Sequence, residues 1–250
     1  MYILNCSLFI GHCSLNNPSP TTKITIIIPV LNEAAMIQSI LAQLINDPEL
    51  EVIVVDGGSK DNTVRLVQDM GVKVIVAPLG RGKQMNVGAT VATGDILLFL
   101  HADTQLPSGF AAIVRETLSL PKIIAGAFEL KIDGEGQSLR FIERMTNWRS
   151  RFLSLPYGDQ AIFLKASVFK EIGGFPELPI MEDFQLIRQL KRRGKIAIAR
   201  PPVLTSARRW QKLGVLRTTI INQLIIIGYF LGVPPIQLRR FYQFNLQKPN

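Results

Sequence analysis

At 250 residues with 47% hydrophobic content, the chain suits one large domain or two small ones and can bury a substantial core, which excludes overall disorder. Its formal charge of +9 favours an anionic partner, whether a nucleotide, a nucleic acid or an anionic lipid surface, without choosing among them. The two cysteines, Cys6 and Cys13, both precede the body, so neither a disulfide framework nor zinc-ligand spacing is expected there, and a reducing, cytoplasmic setting fits.

Residues 1–22 read as a disordered extension. The apolar patch Tyr2–Ile10 is too short to span a bilayer and lacks the basic start of a signal peptide; export with cleavage near Cys13 is the alternative. The first strand is expected over Lys23–Pro29, β-rich and stopped by its proline. Asn32 and Glu33 then begin a helix whose apolar positions Met36, Ile37, Ile40, Leu41, Leu44 and Ile45 recur at helical spacing, ending near Asp47-Pro48. Glu51–Asp56 is a second strand, and Gly57–Thr63 a turn that opens the next helix. Val72–Ala77 supplies a third strand, Pro78–Gly82 a loop, and Lys83–Ala92 a helix of small residues. Ile96–Leu100 is a buried fourth strand that presents His101, Ala102, Asp103 and Thr104 at its carboxyl edge. This alternation predicts a doubly wound, mostly parallel α/β sheet with helices on both faces. Beyond it, Ile123–Ile132 reads as a strand, Leu139–Leu153 as an amphipathic helix and Gln160–Leu164 as another strand. With no repeat, low-complexity tract or linker, residues 23–210 are expected to form one domain, with a nucleotide-binding half over 23–105 and an acceptor half over 106–210. A helical segment over 211–250 follows.

Open parallel sheets bind ligands at the carboxyl edge of their strands, and several polar clusters fall there. Asp103, two positions after His101, can hold a divalent cation against a phosphate-bearing ligand, or merely cap the next helix. Asp56 closes the second strand before Gly57 and Gly58, where it can accept hydrogen bonds from a base or ribose, or form a turn with Ser59. Gly80–Asn86 gathers Arg81, Lys83 and Asn86 around a helix start, which suits a diphosphate or an exposed basic loop. No Gly-x-Gly-x-x-Gly follows the first strand, and Gly82-Lys83 lacks both the upstream glycine and the Ser/Thr of a P-loop. Glu182 and Asp183 start a helix running through Leu190, as dipole compensation or as a general base with its companion. Gly158, Asp159 and Gln160 precede an apolar strand and either line an acceptor side or form a turn.

In order and spacing, Ile-Ile-Pro-Val-Leu-Asn-Glu33, Val-Val-Asp-Gly-Gly-Ser59, Gly-Arg-Gly-Lys-Gln-Met-Asn86, Leu-His-Ala-Asp-Thr104, Gly-Asp-Gln160 and Met-Glu-Asp183 resemble the family 2 inverting glycosyltransferases of GT-A fold. More narrowly, they resemble the bacterial branch associated with radical-SAM and selenium-domain proteins and sometimes linked to arsenosugar biosynthesis. The resemblance covers about residues 23–210. It implies that Pro29, Glu33 and Asp56 face the nucleoside of a sugar-nucleotide donor, a UDP-sugar by preference, and that Arg81, Lys83 and Asn86 lie near base and diphosphate. Gly57, Ser59, His101 and Ala102 complete this donor set. Asp103 corresponds to the last position of the family's Asp-x-Asp metal motif, with His101 in place of the first Asp, so position 101 touches the metal, the ribose or neither. Asp183 matches the catalytic base, with Glu182 beside it. Ser206-Ala-Arg-Arg-Trp210 resembles the family's Arg-Trp element, in which Arg208 and Arg209 close over the diphosphate or form a basic surface turn. The implied reaction is a single displacement by an acceptor hydroxyl, assisted by magnesium or manganese held by Asp103 through the diphosphate. A sugar-1-phosphate nucleotidyltransferase would need a glycine-rich, arginine-containing loop where Pro29–Glu33 stands; a non-catalytic, membrane-associated nucleotide-sugar-binding protein is the other alternative. The basic residues do not interleave with aromatics, so no nucleic-acid partner is expected.

Thr218–Leu238 carries no charge and is bracketed by Arg217 and Arg239-Arg240. Its length permits a span, but Asn222, Gln223 and Pro234-Pro235 interrupt it. A helix lying in the membrane interface with arginines at headgroup level is expected, with a helix packed on the domain as the alternative. The interface reading implies peripheral attachment to the inner face of the plasma membrane and a lipidic acceptor.

Overall fold

A computed structural model describes residues 22–247, so the expectation for the amino-terminal extension lies outside the described residues except at Thr22. The first half follows the expected alternation: β1 (Ile24–Val30), α1 (Ile37–Ala42), β2 (Leu50–Asp56), α2 (Thr63–Asp69), β3 (Lys73–Val76), α3 (Arg81–Val91) and β4 (Ile96–Phe99). The second half contains β5 (Thr104–Gln105), α4 (Phe110–Ser119), β6 (Ile123–Asp133), α5 (Gln137–Leu153), a 3₁₀ turn (Gly158–Gln160), β7 (Phe163–Lys165), α6 (Ala166–Glu171), α7 (Glu182–Lys191) and β8 (Lys195–Ser206). The helices α8 (Arg208–Leu213), α9 (Val215–Phe230) and α10 (Pro235–Gln247) follow.

All eight strands join one sheet in the order β3-β2-β1-β4-β7-β6-β8-β5. The pairs β1–β2, β1–β4 and β2–β3 are parallel, as is β6–β8. β7 runs antiparallel to both β4 and β6, and β5 runs antiparallel to β8. The two halves expected from the sequence are therefore joined through β7 in a continuous sheet. Consecutive side chains on β1 point to opposite faces. Ile26 and Ile28 enter a core with Ile40 and Leu41 of α1 and Val114 of α4, while Ile27 enters the opposite core with Met85 of α3 and Leu186 of α7. This makes three layers, helix on sheet on helix. Gly88 lets α3 lie close on the sheet, since a β-carbon there would come within 2.5 Å of Ile27.

Two local expectations are corrected. The helix expected from Asn32 starts only at Ile37, because residues 32–34 bond instead to the loop after β2. Asn32 is in a left-handed conformation at φ +55. Its amide donates to Ser59 Oγ, the Glu33 amide to Thr63 Oγ1 and the Ala34 amide to Asp61 Oδ2, at 2.9, 2.8 and 3.2 Å. The strand expected over Gln160–Leu164 is cut short because Gln160 closes the 3₁₀ turn and Ala161 adopts φ +49.

Among the described residues, no helix is long and apolar enough to cross a membrane. The uncharged stretch breaks at Gly232, at φ +81, and at Pro234-Pro235, where α10 begins. One face of α9 packs inward through Thr218, Ile221 and Ile225, and Ile225 joins Leu238 of α10 and Phe184 of α7 in a small core. Its other face leaves Leu216, Ile220, Leu224, Ile227 and Phe230 exposed.

Candidate active site

Two cavities open along the carboxyl edge of the parallel strands. One, of about 310 Å³, is lined by Pro29 of β1, Glu33 after it, Ala102 and Asp103 after β4, Arg81 and Gln84 of α3, Glu182 of α7, and Arg239. The other, of about 140 Å³, holds Asp183, Tyr157, Gly158, Asp159, Asn222 and Tyr242. Arg81, His101 and Arg209 line both and form the boundary between them.

Asp183 is set by local backbone geometry. Met181 at φ +69 turns the chain into α7, and Asp183 Oδ1 accepts from the Phe184 amide at 2.7 Å. Its Oδ2 accepts from the Gly158 amide at 2.8 Å. Gly158 fits because a β-carbon there would stand 3.0 Å from His101 Nε2 and 3.3 Å from Asp183 Oδ2. The His101 ring and the Asp183 carboxylate therefore both pack against Gly158. Burial, with Arg81 and Arg209 adding to it, pushes the His101 pKa down to about 3, so the ring is neutral at physiological pH.

Glu182 is buried, and its Oε1 lies 3.1 Å from Arg81 Nε. Burial raises its pKa, opposed by Arg81 and reinforced by Asp183. Its Oε2 is buried without a hydrogen-bond partner. Asp103 is half-exposed beside Arg208, whose Nη2 lies 3.8 Å from Asp103 Oδ2 and 2.8 Å from Glu33 Oε2. That double contact holds the start of α8 over the end of β1.

No group of three or more His, Cys, Asp or Glu side chains able to hold a metal ion occurs among the described residues. A single accessible carboxylate nevertheless suits a hard cation that takes its other ligands from substrate phosphates and water, as magnesium commonly does. Asp103 fits that role. His101 is a poor second ligand because its Nε2 packs against Gly158.

Several expected site residues are engaged elsewhere. Asp56 is buried, and its carboxylate accepts from the Gly58 amide at 2.8 Å and the Ser59 amide at 3.0 Å, shaping its own loop. Ser59 Oγ is held by the Asn32 amide, and Gly57 packs against Gln84. Asn86 clamps the Phe175 backbone through two 2.8 Å hydrogen bonds. Lys83 points outward to Glu177, 3.6 Å away. Gln160 is fully buried, with Oε1 accepting from Ser150 Oγ and Nε2 donating to Phe128 O, both at 2.8 Å. Asp159 faces the second cavity, and its Oδ1 is buried without a hydrogen-bond partner.

Sequence reasoning missed Gln84, Arg239 and Tyr242. Gln84 is buried, and its Nε2 donates to Val30 O at 2.9 Å and Val55 O at 2.8 Å, tying together the ends of β1 and β2. A polar residue on the inner side of the small-residue helix was the available signal. Gln84→Leu should cost about 2 kcal/mol, because it removes two buried side-chain hydrogen bonds, and calorimetry should show Tm falling by several degrees. Arg239 lines the first cavity instead of lying only at headgroup level, because the break at Gly232 folds α10 back against α9.

Asp159 supplies a pH test. Burial raises its carboxyl pKa, with Arg149 opposing and Asp183 adding to the rise. The unfolded chain therefore loses this proton first, and stability falls as pH rises from the ordinary carboxylate value through the raised folded one. Asp159→Asn should raise Tm at neutral pH, and the gain should vanish at about pH 3, where the carboxyl is protonated in both states.

This sheet, with acids and arginines gathered at one edge, is a GT-A glycosyltransferase fold, and solved structures share it. Staphylococcus aureus TarS 1–349, in complex with UDP-GlcNAc, aligns with a TM-score of 0.56 at 21% identity over 74% of this chain and 58% of its own. The mannosyltransferase PcManGT of Pyrobaculum calidifontis, in complex with GDP-Man and Mn2+, aligns with a TM-score of 0.60 at 20% identity over 88% of this chain and 68% of its own. Residues 25–173 match the family model Glycosyl transferase family 2, and the chain belongs to that family. The 4,4'-diaponeurosporenoate glycosyltransferase of Staphylococcus haemolyticus is 32% identical over 95 residues, 34% of this chain and 25% of that protein. Across the first curated relatives, the matched stretch spans only 25% to 36% of their length.

Proposed function

We propose that the chain transfers a hexose-type sugar from a nucleoside-diphosphate donor to an acceptor hydroxyl with inversion at the anomeric carbon. The observation that carries this reading is the meeting of a donor-sized cavity and a carboxylate cavity at Arg81, His101 and Arg209. The donor's nucleoside lies against Pro29 and Glu33, beside the loop that Asp56 shapes. Its diphosphate lies among Arg81, Arg209 and Arg239. Arg208, already bonded to Glu33, closes that end.

Asp183 takes the proton of the acceptor hydroxyl as that oxygen bonds to the anomeric carbon. The bond from that carbon to the diphosphate breaks with its electron pair, and the nucleoside diphosphate leaves from the opposite face. A single displacement of this kind inverts the centre. Asp103 would hold magnesium or manganese, which when bound offsets charge developing on the leaving diphosphate. Neutral His101 lines the same cavity as Asp183 without adding a positive charge there. Glu182 anchors Arg81 at the boundary.

The neighbours' bound UDP-GlcNAc and GDP-Man both support a nucleotide sugar, and we favour the UDP form. Within the family, the resemblance of the motif set leads us to assign the chain to the branch associated with radical-SAM and selenium-domain proteins. The cytoplasmic location, the division into nucleotide half, acceptor half and C-terminal helices, and the attachment of α9 to the inner membrane face belong to the same reading. So does a lipidic acceptor, in keeping with the name of the staphylococcal relative. Isothermal titration with UDP, GDP and their sugar conjugates, with and without manganese, tests the donor. Binding of one nucleotide, strengthened by manganese, is expected; no binding under either condition overturns the reading in favour of a non-catalytic protein. Recovery of the full chain entirely in the soluble fraction after gentle lysis would count against membrane attachment.

A further inference from the structure

A third cavity, of about 710 Å³, lies between α5 and α9. Its walls are apolar, with Phe141, Ile142 and Met145 from α5 and Val215, Leu216 and Ile226 from α9, and the two tryptophans, Trp148 and Trp210, also line it. Its inner end is continuous with the Asp183 cavity, because Tyr157, Asp159, Asn222 and Ile226 line both. At that junction Asp159 Oδ1 is buried and unpartnered, and the guanidinium carbon of Arg149 stacks 3.5 Å from the Tyr157 ring centroid. The outer end carries exposed apolar side chains: Leu216 is 75% exposed, and Phe152, 72% exposed, packs on Trp148 with ring centroids 5.6 Å apart; the exposed cation Arg144 lies on the same helix, α5.

We propose that this groove binds the hydrocarbon chain of a hydroxyl-bearing lipid acceptor, with the hydroxyl at Asp183 and the chain running out between α5 and α9 toward the membrane. The proposal rests on the transferase reading above and adds the acceptor's binding site and path. An apolar trough that narrows to a polar, carboxylate-bearing end matches an amphiphile, and its volume is that of a small-molecule pocket. A peptide would need hydrogen-bond partners along its backbone, whereas most of the surface these walls present is apolar; Thr219 Oγ1, for one, already donates to Val215 O at 2.8 Å. The exposed apolar rim with a neighbouring cation suits an anionic bilayer surface, from which such a lipid would enter.

Both tryptophans line the groove, so intrinsic fluorescence reports its occupant directly. The full chain is titrated with a terminally brominated undecanol, a quencher at contact range, with sedimentation velocity run in parallel. Thr219→Phe and Thr146→Phe, made separately, narrow the groove from opposite walls. Saturable quenching that plain undecanol displaces is expected, weakened about tenfold or more in each folded variant with UDP affinity unchanged. Three results would overturn the proposal: no saturable quenching of the monomer, as when residues 1–21 fill the groove; quenching in both variants equal to that of the unaltered chain; or a dimer that excludes the alcohol. Should neither variant fold, displacement by undecanol in the unaltered chain decides. Loss of nucleotide binding alone strikes the transferase reading, whereas intact nucleotide binding without quenching strikes the groove.

Discussion

Asp183→Asn should bind the donor nucleotide as the unaltered chain does and turn over about a thousandfold more slowly, within the range that general-base removal produces. Asp183 is the carboxylate of α7 that faces the cavity shared with Asp159 and Tyr157, while Glu182 beside it is buried against Arg81. Both Asp183 oxygens accept backbone amides, from Gly158 and from Phe184. The side chain is thereby held rigid, and its remaining lone pairs face the space an acceptor hydroxyl would occupy. An amide nitrogen in place of one oxygen can neither take the proton nor accept from the backbone N–H. Nucleoside diphosphate released with water as acceptor reads the loss without knowledge of the natural acceptor, and titration of the nucleotide reads the binding. A variant that retained the parent rate would remove Asp183 from the chemistry. Glu182→Gln separates the neighbours: it disturbs the Arg81 contact at 3.1 Å and should weaken nucleotide binding more than it slows turnover.

The second large effect is expected at Asp103. With manganese present, Asp103→Ala should bind UDP at least about a hundredfold more weakly, the loss expected when an ion worth several kcal/mol is no longer held. Without manganese, variant and parent should bind alike, or the variant slightly better, since a negative charge has left the neighbourhood of the diphosphate. The contrast between the two conditions separates a metal ligand from a structural acid. Arg208 guards against a trivial explanation, because it keeps its 2.8 Å bond to Glu33 when Asp103 is gone and α8 stays in place. An equal loss with and without the ion would make Asp103 a packing residue.

The strands of the nucleotide half were legible because each is a run rich in branched apolar residues. β1 has all seven residues buried, and β2 ends at Asp56 as expected. The start of α1 was not legible: apolar spacing alone extends the helix back to Asn32, and only the hydrogen bonds to Ser59, Asp61 and Thr63 take those residues out of it. The acceptor motif was read as a continuous set, yet it divides. Gly158 and Asp159 face the cavity, while Gln160 turns inward to hold β6 and α5 together. Asn86 divides in the same way from Arg81, one clamping Phe175 and the other lining both cavities.

What the sequence by itself determined is the alternation of strand and helix and the placement of acids at strand ends and at the start of α7. Those features depend on side-chain periodicity and on residues within a turn of one another. What only the tertiary structure decided is which of those acids are free to act. Asp56 is consumed by its own loop, His101 is kept neutral by burial and two arginines, and Glu33 is paired with an arginine 175 positions away. Desolvation and long-range pairing depend on the packed chain as a whole. The groove beside the carboxylates likewise exists only where α5 and α9, far apart in sequence, are brought face to face.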